Sequence, residues 1–158
     1  MSSKNVAIAQ ITIETYLLET YQYLNPINSW GERSYFVNPK LKLKRGSYFA
    51  TLKSKDGAND KASDLNRPEV FRLNIGLTPK KYEEIFGLRP SRPNKGGIIA
   101  GNYNFQALNT FMPHPVYGWM GWIAINNPDR DHFEICKEYL DIAYEKALKA
   151  TMKKLKMI

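Results

Sequence analysis

The chain has 158 residues, 43% of them hydrophobic and 13% aromatic, which suits one folded domain burying about two-thirds of its unfolded surface. No apolar run approaches the roughly 18 residues of a membrane span, and Cys136, the one cysteine, excludes an internal disulfide or a multi-thiolate metal site. Twenty-three Lys and Arg against fifteen Asp and Glu give a net charge of +8, which favours anionic partners through long-range attraction. The opening MSSKNVAIAQ has no signal-peptide pattern, so the expected compartment is the cytoplasm, with no membrane partner.

Helical spacing of Ile13, Tyr16, Leu17, Tyr21 and Leu24 predicts an amphipathic helix, with Thr12 as its N-cap and Asn25-Pro26 closing it. Three strands rich in aromatic and β-branched residues follow at 32–37, 46–53 and 69–77. The first two are joined by Asn38-Pro39 and the basic KLKLKRG hairpin, in which Lys40, Lys42 and Lys44 share one side of an extended segment. The polar stretch 54–68 is too long for a tight turn. Thr78 caps a short helix that starts at Pro79 and stops at Gly87. Residues 88–112 read as a long ordered loop, 116–126 as the longest apolar strand, and Asn127-Pro128-Asp129 as the opening of a last helix. The apolar stripe of that helix runs through Phe133, Cys136, Leu140, Ala143, Tyr144, Ala147 and Met152. The order predicts a single α+β domain over 1–158, with its core at about 12–150: an antiparallel sheet of four or more strands with helices packed on one face.

Alternation then assigns faces, because residues two apart share one side of a sheet. Phe71, Leu73 and Ile75 oppose Arg72 and Asn74; Tyr117, Trp119, Ile123 and Ile125 oppose Met120 and Trp122; Phe49 and Thr51 oppose Tyr48, Ala50 and Leu52. An open second face would gather Glu32, Ser34, Thr51, Arg72, Asn74, Met120 and Trp122, aromatic walls with a few convergent polar groups as in a small-ligand pocket. If the loops 54–68 and 88–112 fold over that face instead, they make it a second small core and Arg72 pairs with an acidic loop residue.

Signatures of kinases, zincins, α/β-hydrolases and dinucleotide-binding folds are absent, and no cofactor or metal is implied. The run DGANDKASD departs from the EF-hand pattern and reads as a polar turn. His114 lies between Pro113 and Pro115, which fix its imidazole beside Tyr117, Trp119 and Trp122, a natural position for acid–base work at neutral pH. Cys136, on the apolar stripe, reads as an inert buried thiol. The lysines of 40–44 and of 146–156 could meet phosphates or simply be solvated.

The segments Trp30-Gly31-Glu32-Arg33-Ser34-Tyr35-Phe36, Lys55-Asp56-Gly57 with Asn59-Asp60, Val70 to Gly76, and Pro113-His114-Pro115-Val116-Tyr117-Gly118-Trp119-Met120-Gly121-Trp122 resemble a bacterial domain-of-unknown-function family over nearly the whole chain. More remotely, the element order and the closing strand, Asn-Pro and helix look like the YjbR-like group. That resemblance implies a frataxin-type sandwich, and DNA binding through a double-wing arrangement has been suggested for the group.

Three functions are therefore in play. The first is a ligand-binding module for a small or anionic molecule on the open sheet face, with Arg72 as charge partner, Asn74 and Ser34 as hydrogen-bonding groups, and Trp122, Tyr117 and Trp119 as aromatic walls. The second is nucleic-acid binding by the basic helix end and hairpin. The third is an enzyme with His114 as acid or base, oriented by Glu32. A homodimer could also cover the aromatic face.

Overall fold

A computed structural model describes residues 6–157. Helix α1, Gln10–Thr20, is followed by strands β1, Leu24–Ser29, β2, Glu32–Val37, β3, Ser47–Lys53, and β4, Arg72–Gly76. Helix α2, Pro79–Phe86, then precedes β5, Phe111–Pro113, β6, Trp122–Asn126, and the long helix α3, Arg130–Leu155. The strands form one antiparallel sheet in the order β1-β2-β3-β4-β6-β5. No helix of the described residues is long and apolar enough to cross a membrane.

Alternate strand residues Tyr35, Val37, Leu52, Leu73, Ile75, Ile123 and Ile125 share one apolar cluster with Ile13 and Leu17 of α1, Tyr82 of α2 and the α3 stripe. The α3 stripe starts cleanly because Asp129 caps the helix, accepting from the His132 amide at 2.8 Å. Its last inward position is Thr151, which donates to the Val37 carbonyl, whereas the expected Met152 is exposed. Cys136 lies in this core, where burial pushes its thiol well above the usual range. A thiol-specific reagent is therefore expected to modify Cys136 only as the protein unfolds, with a rate that follows denaturant concentration; rapid labelling in buffer would contradict the packing.

Several boundaries differ from the sequence reading. The first helix begins earlier, at Gln10 behind Ala9, and has no side-chain cap, so Thr12 lies within it. It ends at Thr20, and Asn25-Pro26 falls inside β1 instead of closing a helix. Among the described residues β1 pairs only with β2, and an edge strand tolerates the missing proline donor. Residues 40–44 are not an extended lysine ladder: Pro39–Leu41 is a 3-10 turn with Lys40 and Leu41 at positive φ. A register shift at Tyr35/Phe36 turns Phe49 into the main core beside Ala50 and Leu52, away from Thr51.

The long strand expected from 116 begins only at Trp122. A 3-10 turn at Gly118–Met120 ends in Gly121 at φ 100, where an added Cβ would lie 3.1 Å from the Leu77 carbonyl. Tyr117, Trp119 and Met120 therefore do not alternate with Ile123 and Ile125. The loop expected over 88–112 ends in β5, which places Met112 opposite Ala124.

Candidate functional site

The second sheet face carries two polar rows set by strand register. Glu32, Lys53, Arg72 and Asn126 are successive cross-strand neighbours, as are Ser34, Thr51, Asn74 and Ala124. Thr51 Oγ1 donates to Glu32 Oε2 at 2.8 Å and accepts from Asn74 Nδ2 at 2.8 Å, and Arg72 Nε donates to Asn74 Oδ1 at 2.7 Å. Glu32 thus stands at one end of a hydrogen-bonded chain and Arg72 at the other. Lys53 Nζ lies 3.7 Å from Glu32 Oε1. Asn126 spends its amide nitrogen on the carbonyls of Phe105 and Ala107, leaving its Oδ1 buried without a hydrogen bond among the described residues.

This face is covered. Ile99, Phe105, Met112 and Ala124 form a second small apolar cluster, and the loop 54–68 lies over Arg72, which is 0% exposed. Arg72 Nη1 donates to Asp60 Oδ1 and Ser63 Oγ, both at 3.0 Å, while Nη2 donates to Asp60 Oδ2. The guanidinium fork therefore grips both oxygens of one carboxylate. Burial alone would raise the Asp60 pKa, but the hydrogen bonds and charge of Arg72, helped by Lys53, hold it below the ordinary carboxylate value.

His114 is 2% exposed. Its Nδ1 accepts from the amides of Val116 at 3.1 Å and Tyr117 at 3.0 Å, which assigns the ring proton to Nε2. Nε2 lies 3.3 Å from Arg72 Nη2 and 3.8 Å from Asp60 Oδ2, the second beyond hydrogen-bond distance. Burial and the neighbouring guanidinium hold His114 neutral, with a pKa well below the usual 6.5. In this arrangement neither ring nitrogen offers a lone pair to a substrate. The carboxylate beside His114 is Asp60, not Glu32, whose contacts are Thr51 and Lys53.

One end of the same face opens into a cleft of about 460 Å³. Its wall is an aromatic stack: the Tyr48 ring lies 5.2 Å from Phe36 and 5.1 Å from Trp122. Trp122 lies flat over Gly76, where an added Cβ would come within 2.7 Å of the indole, so the glycine is a steric requirement of the wall. Met120 extends this apolar surface, and Arg45, Lys146 and Lys154 complete the rim, with no acidic side chain among the described residues lining the cleft. Lys146 also donates to the Leu77 carbonyl at 3.0 Å.

The sequence-derived site residues thus divide among three places. Arg72 and Asn74 lie in the covered network with Glu32 and His114, while Ser34 is half-buried opposite Thr51. Trp122 forms the cleft wall. Tyr117 lies exposed with its ring 4.9 Å from His114, and Trp119 carries the Arg92 guanidinium 5.0 Å from its ring in a separate cleft of about 290 Å³. Asp60, Ser63 and Lys53 were missed in the covered network, as were Phe36 and Tyr48 in the cleft wall, while Arg45, Lys146 and Lys154 stood out only as parts of two basic runs. Asp60 did have a signal, an acidic residue in a long loop beside a strand with a buried arginine. The cleft cations were visible as two basic runs, but nothing in either run shows that they share one cleft, because they meet only when residue 45 and α3 pack together.

No curated protein and no solved structure matches the chain. A family model described as a family of unknown function, DUF6194, matches residues 7–156, and the chain belongs to that family.

Proposed function

We propose that the protein binds a small anionic ligand with a flat or apolar body in the Phe36–Tyr48–Trp122 cleft. The reading is carried by one observation: cations from two separate segments, Arg45 before β3 and Lys146 and Lys154 on α3, rim an aromatic wall that no acidic side chain among the described residues lines. Of the three rings Tyr48 is the exposed one and offers the face on which an apolar body stacks, Phe36 and Trp122 backing it, and the lysines and arginine supply the charge partner. Relative to the expected ligand site at Arg72, the site moves along the sheet to Trp122, because Asp60 already occupies the arginine.

Aromatic carboxylates and nucleoside monophosphates are suitable probes. One class is expected to raise the melting temperature saturably, since a ligand that binds only the folded state stabilises it. The double variant Arg45→Ala/Lys154→Ala alters two exposed side chains, so it should leave the unliganded protein's stability nearly unchanged while weakening that binding about tenfold or more. No shift with either class, or a shift that survives the double variant, overturns the assignment.

A second reading, a nucleic-acid strand, is favoured by the cations that continue beyond the cleft: Lys149, Lys153 and Lys156 in and just after α3, and Lys40, Lys42 and Lys44 before Arg45. Its mark is affinity that grows with oligonucleotide length and falls steeply with salt. A mononucleotide that binds as tightly as an oligomer excludes it and leaves the first reading standing.

A further inference from the structure

The loop over the buried arginine has the construction of a separate rigid piece. At its neck, Asp56 Oδ1 accepts from the Leu65 amide at 2.8 Å and Asn66 Oδ1 accepts from the Asp56 amide at 3.1 Å. At its tip the Gly57 and Asp60 backbones exchange hydrogen bonds of 3.0 and 3.3 Å. Arg67 braces the returning arm by donating to the carbonyls of Ser63 and Asp64, and its third bond, to the Gln106 carbonyl at 3.0 Å, joins the arm to the neighbouring loop. Leu65 at the neck is buried. Chain ends held close, with internal bonds between them, make a compact Ω-shaped loop with a bonding pattern of its own.

What this loop covers is unlike the rest of the interior. Lys53 and Arg72 are direct cross-strand neighbours, and like charges in that position repel. Asn74, Thr51 and the Nε2–H of His114 add further polar groups beside them. The loop meets these groups with polar contacts of its own, Asp60 on the Arg72 fork and Ser63 on Nη1, and packs Gly57 closely over Lys53, where an added Cβ would lie 3.3 Å from Nζ. A permanent cover gains nothing from an ion pair that apolar packing could replace. Both halves of a polar joint, by contrast, are well solvated when they separate.

We propose that residues 56–66 are a lid over a carboxylate-binding site, and that Asp60 is the built-in occupant, holding the place of a ligand carboxylate. The receiving groups are the two terminal nitrogens of Arg72, which bond both oxygens of a carboxylate, with His114 Nε2 3.8 Å from one of those oxygens and Lys53 nearby. An external carboxylate takes Asp60's position and lifts the tip, with the neck at Asp56 and Asn66 as hinge. The proposal stands on the covered face alone and is independent of the Trp122 cleft.

Hydrogen exchange on the unaltered protein tests the lid. Amides of 57–63 are expected to exchange at least tenfold faster than those of 72–76, through an opening that leaves β4 closed, and acetate should accelerate them further while acetamide does not. Exchange of both segments together, or no response to acetate, overturns the lid. The site is tested by removing the occupant. Asp60→Ala should bind acetate at least tenfold more tightly than the unaltered protein, read as a saturable rise in melting temperature that acetamide fails to produce. Equal acetate response in the two proteins overturns the site, and a phosphate response stronger than the acetate response overturns the ligand class. If Asp60→Ala does not fold, Asp60→Asn serves in the same comparison, because it removes the charge while keeping the shape.

Discussion

Replacing Arg72 with methionine is expected to lower the folding free energy by about 3–5 kcal/mol, the range for breaking one side of a buried ion pair. Arg72 is completely buried, and its guanidinium bonds Asn74, Ser63 and both oxygens of Asp60. Methionine fills the space of the stem but leaves the Asp60 carboxylate, the Asn74 carbonyl oxygen and the Ser63 hydroxyl without their partner. Most of the loss is therefore desolvation of the groups left behind rather than the worth of the pair itself. It follows that Arg72→Met/Asp60→Leu should recover much of the stability lost by Arg72→Met, since the stranded charge is gone; a double-mutant cycle in urea measures this coupling. The cycle also reports on the lid. If Arg72→Met releases the loop, the native state exposes more surface and the m-value falls, whereas a locked loop leaves it unchanged. A loss below about 1 kcal/mol with an unchanged m-value would show that the cluster is not desolvated in solution.

The parts of this fold that were legible in the sequence are those where local chemistry and tertiary packing agree. Glu32–Val37 has its expected bounds, and Thr78 caps α2 through the Lys81 amide with Pro79 at the first helical position. The α3 stripe is buried from Phe133 to Ala147 as its spacing demands. Leu24–Ser29 was hidden because Asn25-Pro26 is a stop signal in any local reading, and only pairing with β2 makes an edge strand of it. Of two strand glycines, one stays where the sequence put it and one does not. Gly76 lies inside a strand because Trp122 needs the space, while Gly121 ends a turn that hydrophobicity alone would have extended into the strand.

The candidate sites follow the same rule. Strand alternation was enough to place Arg72 and Asn74 together on the face away from the main core. Whether that face meets water or a loop depends on how residues 54–68 close, and the deciding contact, Asp60 to Arg72, spans 12 positions. The expectation that a covered face would pair Arg72 with an acidic loop residue describes what is found. The Trp122 cleft lay beyond reach because its rim joins residue 45 to α3, a contact that no pattern within either segment encodes.

Stability is expected to fall as the pH drops below about 6.5, with a slope approaching 1.4 kcal/mol per pH unit for one titrating group. His114 is the source. In the folded protein, burial, the Arg72 guanidinium and Lys53 all disfavour imidazolium, and Asp60 opposes them without prevailing. The folded pKa therefore lies below the unfolded value, so the unfolded chain takes up the proton first and acid favours unfolding. The contribution is fully present above 6.5 and is lost as the pH falls below it. Asp60 shares this sign but acts lower: its folded pKa is below the ordinary 3.8, so its contribution is present above that value and lost as the pH falls through the depressed one. The two windows are separable, and His114→Asn separates them. An asparagine carbonyl oxygen can accept from the Val116 and Tyr117 amides in place of Nδ1 but takes up no proton, so the variant should lose the slope between pH 6.5 and 5 while keeping the fall below pH 4. Urea unfolding at a series of pH values checks both. A slope of the same size in His114→Asn would place the titrating group elsewhere. A flat profile in the unaltered protein would mean that imidazolium is accommodated in the fold, with Asp60 shared between two cations rather than committed to Arg72.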